Sequence, residues 1–250
     1  MGSDRTSFEQ VRQDWTRLGA ADPLWAVLVE EDKRGGRWDA EEFLALGRRD
    51  VERSREHLAR LGLPTTWDRA LDFGCGAGRL SQALAQHADE VIGLDVSAPM
   101  LDTARSLDRS EGRCSFRLSA DPDLRAFPDG SFDLVYTERV LQHLPRPVLE
   151  TYLAEFVRVL RPGGVALLHC TTRPLWSVRG MIWRFAPSWL VCWAQRTVLH
   201  YPAPMRMTAL PEDRVREIVT AAGGEVLDSV AVDEPETHWA ARRYVVRATG

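Results

Sequence analysis

The stretch that decides the fold is A-L-D-F-G-C-G-A-G-R-L, Ala70 to Leu80. A short apolar run carries an acid, Asp72, two residues before three glycines that alternate with small residues. Glycine at this density lets the backbone turn sharply and lets a ligand lie against bare peptide. Arg79 stands where the NAD fingerprint G-x-G-x-x-G requires its third glycine. The spacing therefore favours a ligand-binding turn that differs from an NAD loop, with a generic tight turn as the alternative.

Two acidic residues indicate which chemical groups this ligand carries. A carboxylate at Asp72 repels a pyrophosphate, but it suits a ligand that presents a cation at this end. Asp95 ends the next apolar run, at the place where an acid typically accepts hydrogen bonds from both hydroxyls of a ribose. The expected ligand is a nucleoside with a positive group, and it needs no phosphates.

From residue 69 onward, short apolar runs alternate with amphipathic stretches. This alternation is typical of βαβ units and a parallel sheet. The predicted strands are 70–73, 91–94, 114–118, 132–136, 165–170, 225–232 and 243–247, and the predicted helices between them are 78–87, 99–107, 147–160 and 212–222. The segment 161–164, R-P-G-G, predicts a helix stop and a turn. Residues 1–66 are expected to form a helical cap, and 67–250 a second domain that contains an insertion at 173–210.

The bulk composition narrows the class of protein. The chain has 250 residues and a formal net charge of -4, which argues against a general nucleic-acid binder. Its four cysteines form no C-x-x-C pair, so they favour free thiols in a reducing compartment, the cytoplasm, over disulfides or a zinc site. No cluster of acids and histidines has the spacing of a metal site. The apolar stretch 181–200 is interrupted by Arg184, Pro187 and Arg196, so we expect no transmembrane segment.

Four segments together resemble the class I S-adenosylmethionine-dependent methyltransferases. They are D-F-G-C-G-A-G-R-L (72–80), V-I-G-L-D-V-S-A-P-M-L (91–101), F-P-D-G-S-F-D-L-V (127–135) and L-R-P-G-G-V-A-L-L (160–168). The resemblance implies an α/β fold with a Rossmann-like, seven-stranded, mostly parallel sheet, helices on both faces and an antiparallel last strand. The sequence pattern adds an N-terminal helical cap and a helical insertion after strand five to this fold. The implied cofactor is S-adenosyl-L-methionine, with S-adenosyl-L-homocysteine as its product.

The resemblance also assigns cofactor contacts position by position. From the methionine end to the adenine, they are Asp72, Gly74, Cys75, Gly76, Gly78, Asp95 and either Val96 or Met100. Asp121 occupies the position of the acid that accepts from the adenine amino group. Its successor is Pro122, which has no N–H to reach a ring nitrogen. Asp123 with the N–H of Leu124 is therefore a second candidate for the adenine contact.

The acceptor pocket is expected at residues 136–145, Y-T-E-R-V-L-Q-H-L-P. This segment lacks the Asn/Asp-Pro-Pro-aromatic pattern of the relatives that methylate nucleobases, so we expect no nucleic-acid partner. Two residues are candidates for a general base: His143, because histidine titrates near neutral pH, and Glu138. Further candidates for acceptor contacts are Arg139, His169, Trp176, Trp183, His200, Tyr201 and His238.

The insertion 173–210 carries four of the nine tryptophans, and the segment 156–211 carries seven arginines but no acid. We interpret it as a lid over the acceptor, a dimer interface, or a peripheral membrane contact through 176–194. Tryptophan faces stack on sugar rings and arginines bind anions, which indicates a small-molecule acceptor, saccharide or anionic. The expected reaction is methylation of a hydroxyl on a sugar or natural product. Methylation of nitrogen or carbon, and a non-catalytic binding scaffold, are the alternatives.

Overall fold

A computed structural model describes residues 2–232 and 238–250 of the chain, with the side chains of all of these except 2–6 and 179. The helices are α1 (Gly2–Ala21), α2 (Pro23–Val27), α3 (Ala40–Arg60), α4 (Arg79–Leu84), α5 (Ala98–Leu107), α6 (Arg146–Val159), α7 (Val178–Phe185), α8 (Ser188–Thr197) and α9 (Glu212–Ala221). The strands are β1 (Trp67–Phe73), β2 (Ala88–Asp95), β3 (Cys114–Leu118), β4 (Phe132–Thr137), β5 (Leu160–Pro174), β6 (Gly224–Val232) and β7 (Trp239–Ala248).

The seven strands form a sheet in the order β3-β2-β1-β4-β5-β7-β6. The chain divides into two compact units. The first unit comprises Trp15–Ala120 and Phe132–Tyr136, and the second comprises Met1–Asp14, Asp121–Ser131 and Thr137–Gly250. The predicted fold class, a seven-stranded mixed sheet with helices, is confirmed.

The first unit holds parallel strands. β1 pairs with both β2 and β4, and β2 pairs with β3, all in parallel. All six residues of β4 are buried, as is typical of a parallel strand covered on both faces. Asp133 tolerates this burial because its Oδ2 accepts the N–H of Arg69 at 2.7 Å. Phe73 of β1 lies opposite Leu94 of β2, so the carboxyl ends of these strands meet at one edge.

The second unit holds antiparallel strands. β7 pairs antiparallel with both β5 and β6, which confirms the predicted direction of the last strand. β5 begins at Leu160, directly after α6. The turn predicted over 161–164 is therefore wrong, since these residues belong to β5. Gly163 has a φ of +78°, a left-handed conformation that glycine adopts without a steric cost.

Helix α3 packs closely against the start of α4. The Oδ1 of Asp39 accepts the N–H of Glu42 at 2.9 Å and caps the helix. A Cβ at Gly47 would overlap the carbonyl oxygen of Arg79 at the start of α4. Glycine inside a helix costs about 0.5–1 kcal/mol relative to alanine, and here it allows the two helices to approach closely.

Two helices, α7 and α8, follow β5, so the helical character of the insertion is confirmed. Across residues 2–232 and 238–250, none of the helices combines the length and the apolar character that crossing a membrane requires.

Candidate active site

The loop between β1 and α4 turns through left-handed backbone. Gly74, Gly76 and Gly78 have φ angles of +75°, +53° and +80°. A Cβ at Gly76 would lie 2.7 Å from Cγ2 of Val27, and one at Gly78 would lie 3.1 Å from Cζ of Phe116. Gly76 and Gly78 are therefore required both for backbone conformation and for space.

Hydrogen bonds hold this loop against the end of β2. The N–H groups of Gly74 and Cys75 donate to the carbonyl oxygen of Leu94 at 2.7 and 3.1 Å. The N–H of Gly76 donates to Oδ2 of Asp95, and the N–H of Ser97 donates to Oδ1, both at 2.9 Å. Burial raises the pKa of Asp95, while these N–H groups act in the opposite direction. A carboxylate oxygen that accepts one N–H keeps a lone pair for a further donor, such as a ribose hydroxyl.

Asp72, near the end of β1, is 1% exposed. Its Oδ2 accepts the hydroxyl of Ser81 at 2.6 Å, whereas its Oδ1 has no hydrogen-bond partner among the described residues. Burial raises the pKa of Asp72 to about 6, although the Ser81 hydroxyl and the charge of Arg79 act to lower it. Such a buried oxygen without a partner is costly, and a cationic ligand group would satisfy it. The site thus fits the positive ligand that the two acids predict.

Arg79 has a structural partner that the sequence did not reveal. Its buried side chain donates from Nη1 to Oδ2 of Asp50 in α3 at 2.5 Å. The ion pair joins the start of α4 to α3, which accounts for an arginine where an NAD loop has glycine. The two residues are 29 positions apart, and no local pattern links them.

The two candidates for flanking the adenine differ in accessibility. Met100 is buried in α5, and a Cβ at Gly19 would lie 2.9 Å from its Cγ, so Met100 packs against α1. Val96 is only half-buried. Val96 is therefore the more accessible of the two, and its contact with the cofactor stays a prediction. The thiol of Cys75 is buried within the same loop, and burial raises its pKa well above the usual value.

The candidates for the adenine amino group lie in the second unit. The N–H of Leu124 donates to Oε2 of Glu155 at 2.9 Å. The N–H that Leu124 was expected to offer to the adenine is therefore already in a hydrogen bond. Asp121 is exposed, and its carbonyl oxygen accepts the hydroxyl of Tyr152 at 3.0 Å. These contacts favour Asp121 over Asp123 with Leu124, and both assignments stay predictions.

Glu138, the residue after β4, is buried in an ion pair. Arg243 of β7 donates from Nη2 to Oε1 at 2.8 Å and from Nε to Oε2 at 3.1 Å. Burial acts to raise the pKa of Glu138, but His169, Arg243 and Arg139 outweigh it, and the pKa is lowered. The structure thus brings Glu138 and His169, proposed separately from the sequence, into one electrostatic cluster. Because the guanidinium of Arg243 donates to both of its oxygens, Glu138 is a poor proton acceptor.

His143 ends a short 3-10 helix, Leu141–His143. Its Nδ1 lies 2.8 Å from the carbonyl oxygen of Arg206. Because a carbonyl oxygen only accepts, this contact assigns the proton to Nδ1 and leaves Nε2 as an acceptor, to which the amide Nε2 of Gln142 donates at 3.4 Å. Burial lowers the pKa of His143 to about 4, although the Arg206 carbonyl acts to raise it. At neutral pH the ring is therefore neutral, with its tautomer set by the backbone.

The other acceptor candidates of the second unit are Arg139, Trp176, Trp183, His200, Tyr201 and His238. Arg139, His200 and His238 have φ angles of +61°, +52° and +60°, which side-chain-bearing residues rarely adopt. The guanidinium of Arg184 lies 4.4 Å from the ring centroid of Trp176, and the tryptophan side chain remains largely exposed. Within the part of the chain that the structure describes, no group of three or more His, Cys, Asp or Glu is placed to hold a metal ion.

The sheet order, the glycine turn and its two acids define the class: a Rossmann-like methyltransferase fold. Residues 71–168 match the family model described as a methyltransferase domain, and this segment belongs to that family. The family predicted from the four sequence segments is thus confirmed for this segment, and the cofactor of that family is S-adenosyl-L-methionine.

Two curated relatives match part of the chain. An uncharacterized methyltransferase of Schizosaccharomyces pombe is 41% identical over 107 residues, which cover 39% of this chain and 37% of that protein. A ubiquinone biosynthesis O-methyltransferase of Xanthomonas campestris is 35% identical over 117 residues, which cover 46% of this chain and 47% of that protein. The chain thus spans less than half the length of either relative.

Solved structures match nearly the whole chain. Magnesium protoporphyrin IX methyltransferase from Synechocystis PCC 6803, with bound SAH, has a TM-score of 0.62 at 19% identity and covers 98% of this chain and 99% of its own. An S-adenosylmethionine-dependent methyltransferase from Leishmania major has a TM-score of 0.63 at 18% identity and covers 96% of this chain and 82% of its own. At these identities the likeness shows the fold alone.

Proposed function

We propose that the protein transfers a methyl group from S-adenosyl-L-methionine to a hydroxyl of a small molecule, a sugar or another natural product. The observation that carries this proposal is Asp72, a buried carboxylate with one oxygen that lacks a hydrogen-bond partner in the described residues. The cationic end of the cofactor supplies that partner. When bound, the cofactor supplies an electrophilic methyl group on a sulfonium, and the chain has to orient the acceptor and remove a proton.

The first unit supplies most of the proposed cofactor contacts. Asp95 accepts the ribose hydroxyls with the lone pairs that the N–H groups of Gly76 and Ser97 leave unused. Gly76 and Gly78 let the backbone lie against the methionine end, because neither carries a side chain at the turn. Asp121 is our choice for the adenine amino group.

His143 is the proposed proton acceptor. Its Nε2 is unprotonated at neutral pH, since the Arg206 carbonyl holds the proton of the ring on Nδ1. A pKa of about 4 makes the ring a weak base toward a neutral hydroxyl. Methylation of that hydroxyl, however, makes its oxygen cationic and its proton strongly acidic, and a weak base then suffices. Glu138 is proposed to position its neighbours, because Arg243 occupies both of its oxygens.

Oxygen is the proposed acceptor atom for two reasons. The Xanthomonas campestris relative is named an O-methyltransferase. A neutral histidine that accepts the proton only after the methyl group has been transferred also suits a hydroxyl acceptor. The arginines and tryptophans of 173–210 support a saccharide or anionic acceptor. The lid role of that segment, the cap role of 1–66 and the cytoplasmic location stay predictions.

Transfer of a tritiated methyl group from S-adenosyl-L-methionine to a panel of sugars, phenols and hydroxy acids tests the proposal. His143→Gln is expected to lower turnover by about 10²–10⁴-fold, the usual contribution of a general base. His87→Gln, at a half-buried histidine outside the proposed site, is the matched control and should leave turnover unchanged. Transfer only to amine acceptors, or full turnover by His143→Gln, contradicts the proposal.

A further inference from the structure

We propose that the surface formed by α7 and α8 docks on a lipid bilayer that carries anionic headgroups. We call this surface the α7–α8 face and define it by Trp176, Val178, Ile182, Phe185, Trp189 and Trp193. The inference does not depend on the proposed reaction: the residues that define the face, and the substitutions that test it, include none of those proposed to bind the cofactor or to accept the proton.

The α7–α8 face is the main exposed apolar surface of the described chain. Ten of the fourteen exposed large apolar side chains among the described residues lie between 176 and 199. Trp176, Val178 and Phe185 are 71%, 82% and 69% exposed, and Trp189 and Trp193 are 68% and 55% exposed. Contiguous apolar exposure of this kind marks a surface that meets a protein or a membrane.

Helical geometry concentrates these side chains. In α7, Val178, Ile182 and Phe185 are spaced i, i+4 and i+7, and therefore share one side of the helix. In α8, Trp189 and Trp193 are spaced i, i+4. Each helix thus presents an apolar stripe to solvent, the reverse of the usual arrangement, in which the apolar stripe faces the core.

Gln195 fixes the rotation of α8. Its Nε2 donates to the carbonyl oxygen of Met205 at 3.2 Å, and its Oε1 accepts the N–H of Met205 at 3.0 Å. Gln195 and Val191 form the buried side of α8, opposite Trp189 and Trp193. Because both the nitrogen and the oxygen of the Gln195 amide are hydrogen-bonded to the backbone of Met205, Gln195 stays on the buried side of α8. The two tryptophans on the opposite side are therefore held toward solvent.

The sequence segment that carries the face is rich in arginine. Residues 156–211 contain seven arginines and no acid. Arg196 and Arg206 line a cavity of about 360 Å³ together with Trp189, Cys192 and Trp193. Asp14 of α1 approaches both arginines at 3.7 and 3.6 Å, so one carboxylate faces two guanidinium groups and a positive charge is left over. This charge complements a lipid phosphate.

Tryptophan and arginine side by side are typical of helices that bind at a membrane–water interface. Tryptophan rings settle at the headgroup level, and arginines bind the phosphates of anionic lipids. At eight and ten residues, α7 and α8 are too short to cross a bilayer, which takes about 20 residues. The fitting geometry is therefore two helices lying in the plane of the interface.

Sedimentation with sucrose-loaded vesicles tests the inference. Vesicles of phosphatidylcholine alone are compared with a two-to-one mixture of phosphatidylcholine and phosphatidylglycerol. The full chain is expected to sediment with the mixed vesicles and to be released by high salt.

Combining Trp189→Ser with Trp193→Ser should weaken partitioning by about tenfold or more, since two large apolar side chains are lost. Arg184→Gln should weaken it about fivefold, on anionic vesicles only.

Matched controls lie off the face. Val230→Ser removes an apolar side chain that is exposed on β6, and Arg125→Gln removes an exposed arginine outside the insertion. Both are expected to partition as the unsubstituted chain does. Binding of S-adenosylhomocysteine should be unchanged in every variant, which verifies that the variants fold.

Three results overturn the inference. The first is a chain that stays in the supernatant with both kinds of vesicle. The second is partitioning that the control substitutions weaken as much as the tryptophan substitutions do. The third is a dimer in light scattering that the tryptophan substitutions dissociate, without vesicle binding, since that assigns the face to a second copy of the chain.

Discussion

Replacing Asp72 by asparagine is expected to stabilise the cofactor-free protein at neutral pH. Burial raises the pKa of Asp72 from a usual value of 3.8 to about 6. The folded state binds this proton more tightly than the unfolded state does. The favourable contribution of Asp72 to the free energy of unfolding is therefore complete below pH 3.8 and is lost as the pH rises through 6. At about 1.36 kcal/mol for each pH unit, the loss is about 3 kcal/mol. Asparagine has no proton to lose and still accepts the Ser81 hydroxyl.

Urea unfolding followed by circular dichroism at pH 4 to 8 measures this effect. The free energy of unfolding of Asp72→Asn, minus that of the unsubstituted protein, is expected to grow by about 2.5 kcal/mol across this range, because a small part of the loss already occurs below pH 4. Asp89→Asn, at an exposed aspartate of β2, is the control and should show a difference independent of pH. A difference for Asp72→Asn that is flat, or that falls as the pH rises, refutes the reasoning.

The same carboxylate links pH to cofactor binding. In the proposed site, Asp72 faces the positively charged methionine end, which the cofactor and S-adenosylhomocysteine share, and protonation of Asp72 removes its negative charge. The affinity for S-adenosylhomocysteine is therefore expected to fall about tenfold for each pH unit below 6 in the unsubstituted protein. Asp72→Asn should bind weakly at every pH, without this dependence. Equal binding by both proteins at pH 8 refutes the assigned role.

Three further predictions concern single sites. Gly78→Ala should destabilise the fold more than Gly62→Ala by about 1–3 kcal/mol, because both have left-handed φ but only Gly78 has atoms within 4 Å of a new Cβ. Arg243→Met should cost about 3–5 kcal/mol by leaving Glu138 buried without its partner, and adding Glu138→Gln should recover most of this. The acid limb of kcat should fall near pH 4, where His143 is protonated.

Each of these has a clear counter-result. Urea denaturation gives the stability changes, and equal losses for the two glycine variants would show that space at Gly78 is unimportant. No recovery on adding Glu138→Gln would show that Arg243 acts through other contacts. A kcat that already falls near pH 6.5 would show that His143 is not shielded from solvent.

The glycine turn after β1 was predictable because its sequence signal is local. Asp72 lies one residue before the end of β1 and Asp95 ends β2, and neighbouring parallel strands bring their carboxyl ends to one edge. The Glu138–Arg243 pair was not predictable, since its residues are 105 positions apart and meet only through the position of β7. The hydrogen bond from Leu124 to Glu155 likewise depends on how α6 packs. The turn expected at 161–164 failed because β5 already begins at Leu160 and runs through Gly163, a glycine that local rules assign to a turn.

The central claim is that the loop after β1 binds the methyl donor and no dinucleotide. Calorimetric titration with S-adenosylhomocysteine and, separately, with NAD tests it most directly. The account predicts saturable, one-to-one binding of S-adenosylhomocysteine that Asp95→Asn weakens, and no heat of binding with NAD. Saturable binding of NAD, with none of S-adenosylhomocysteine, contradicts it.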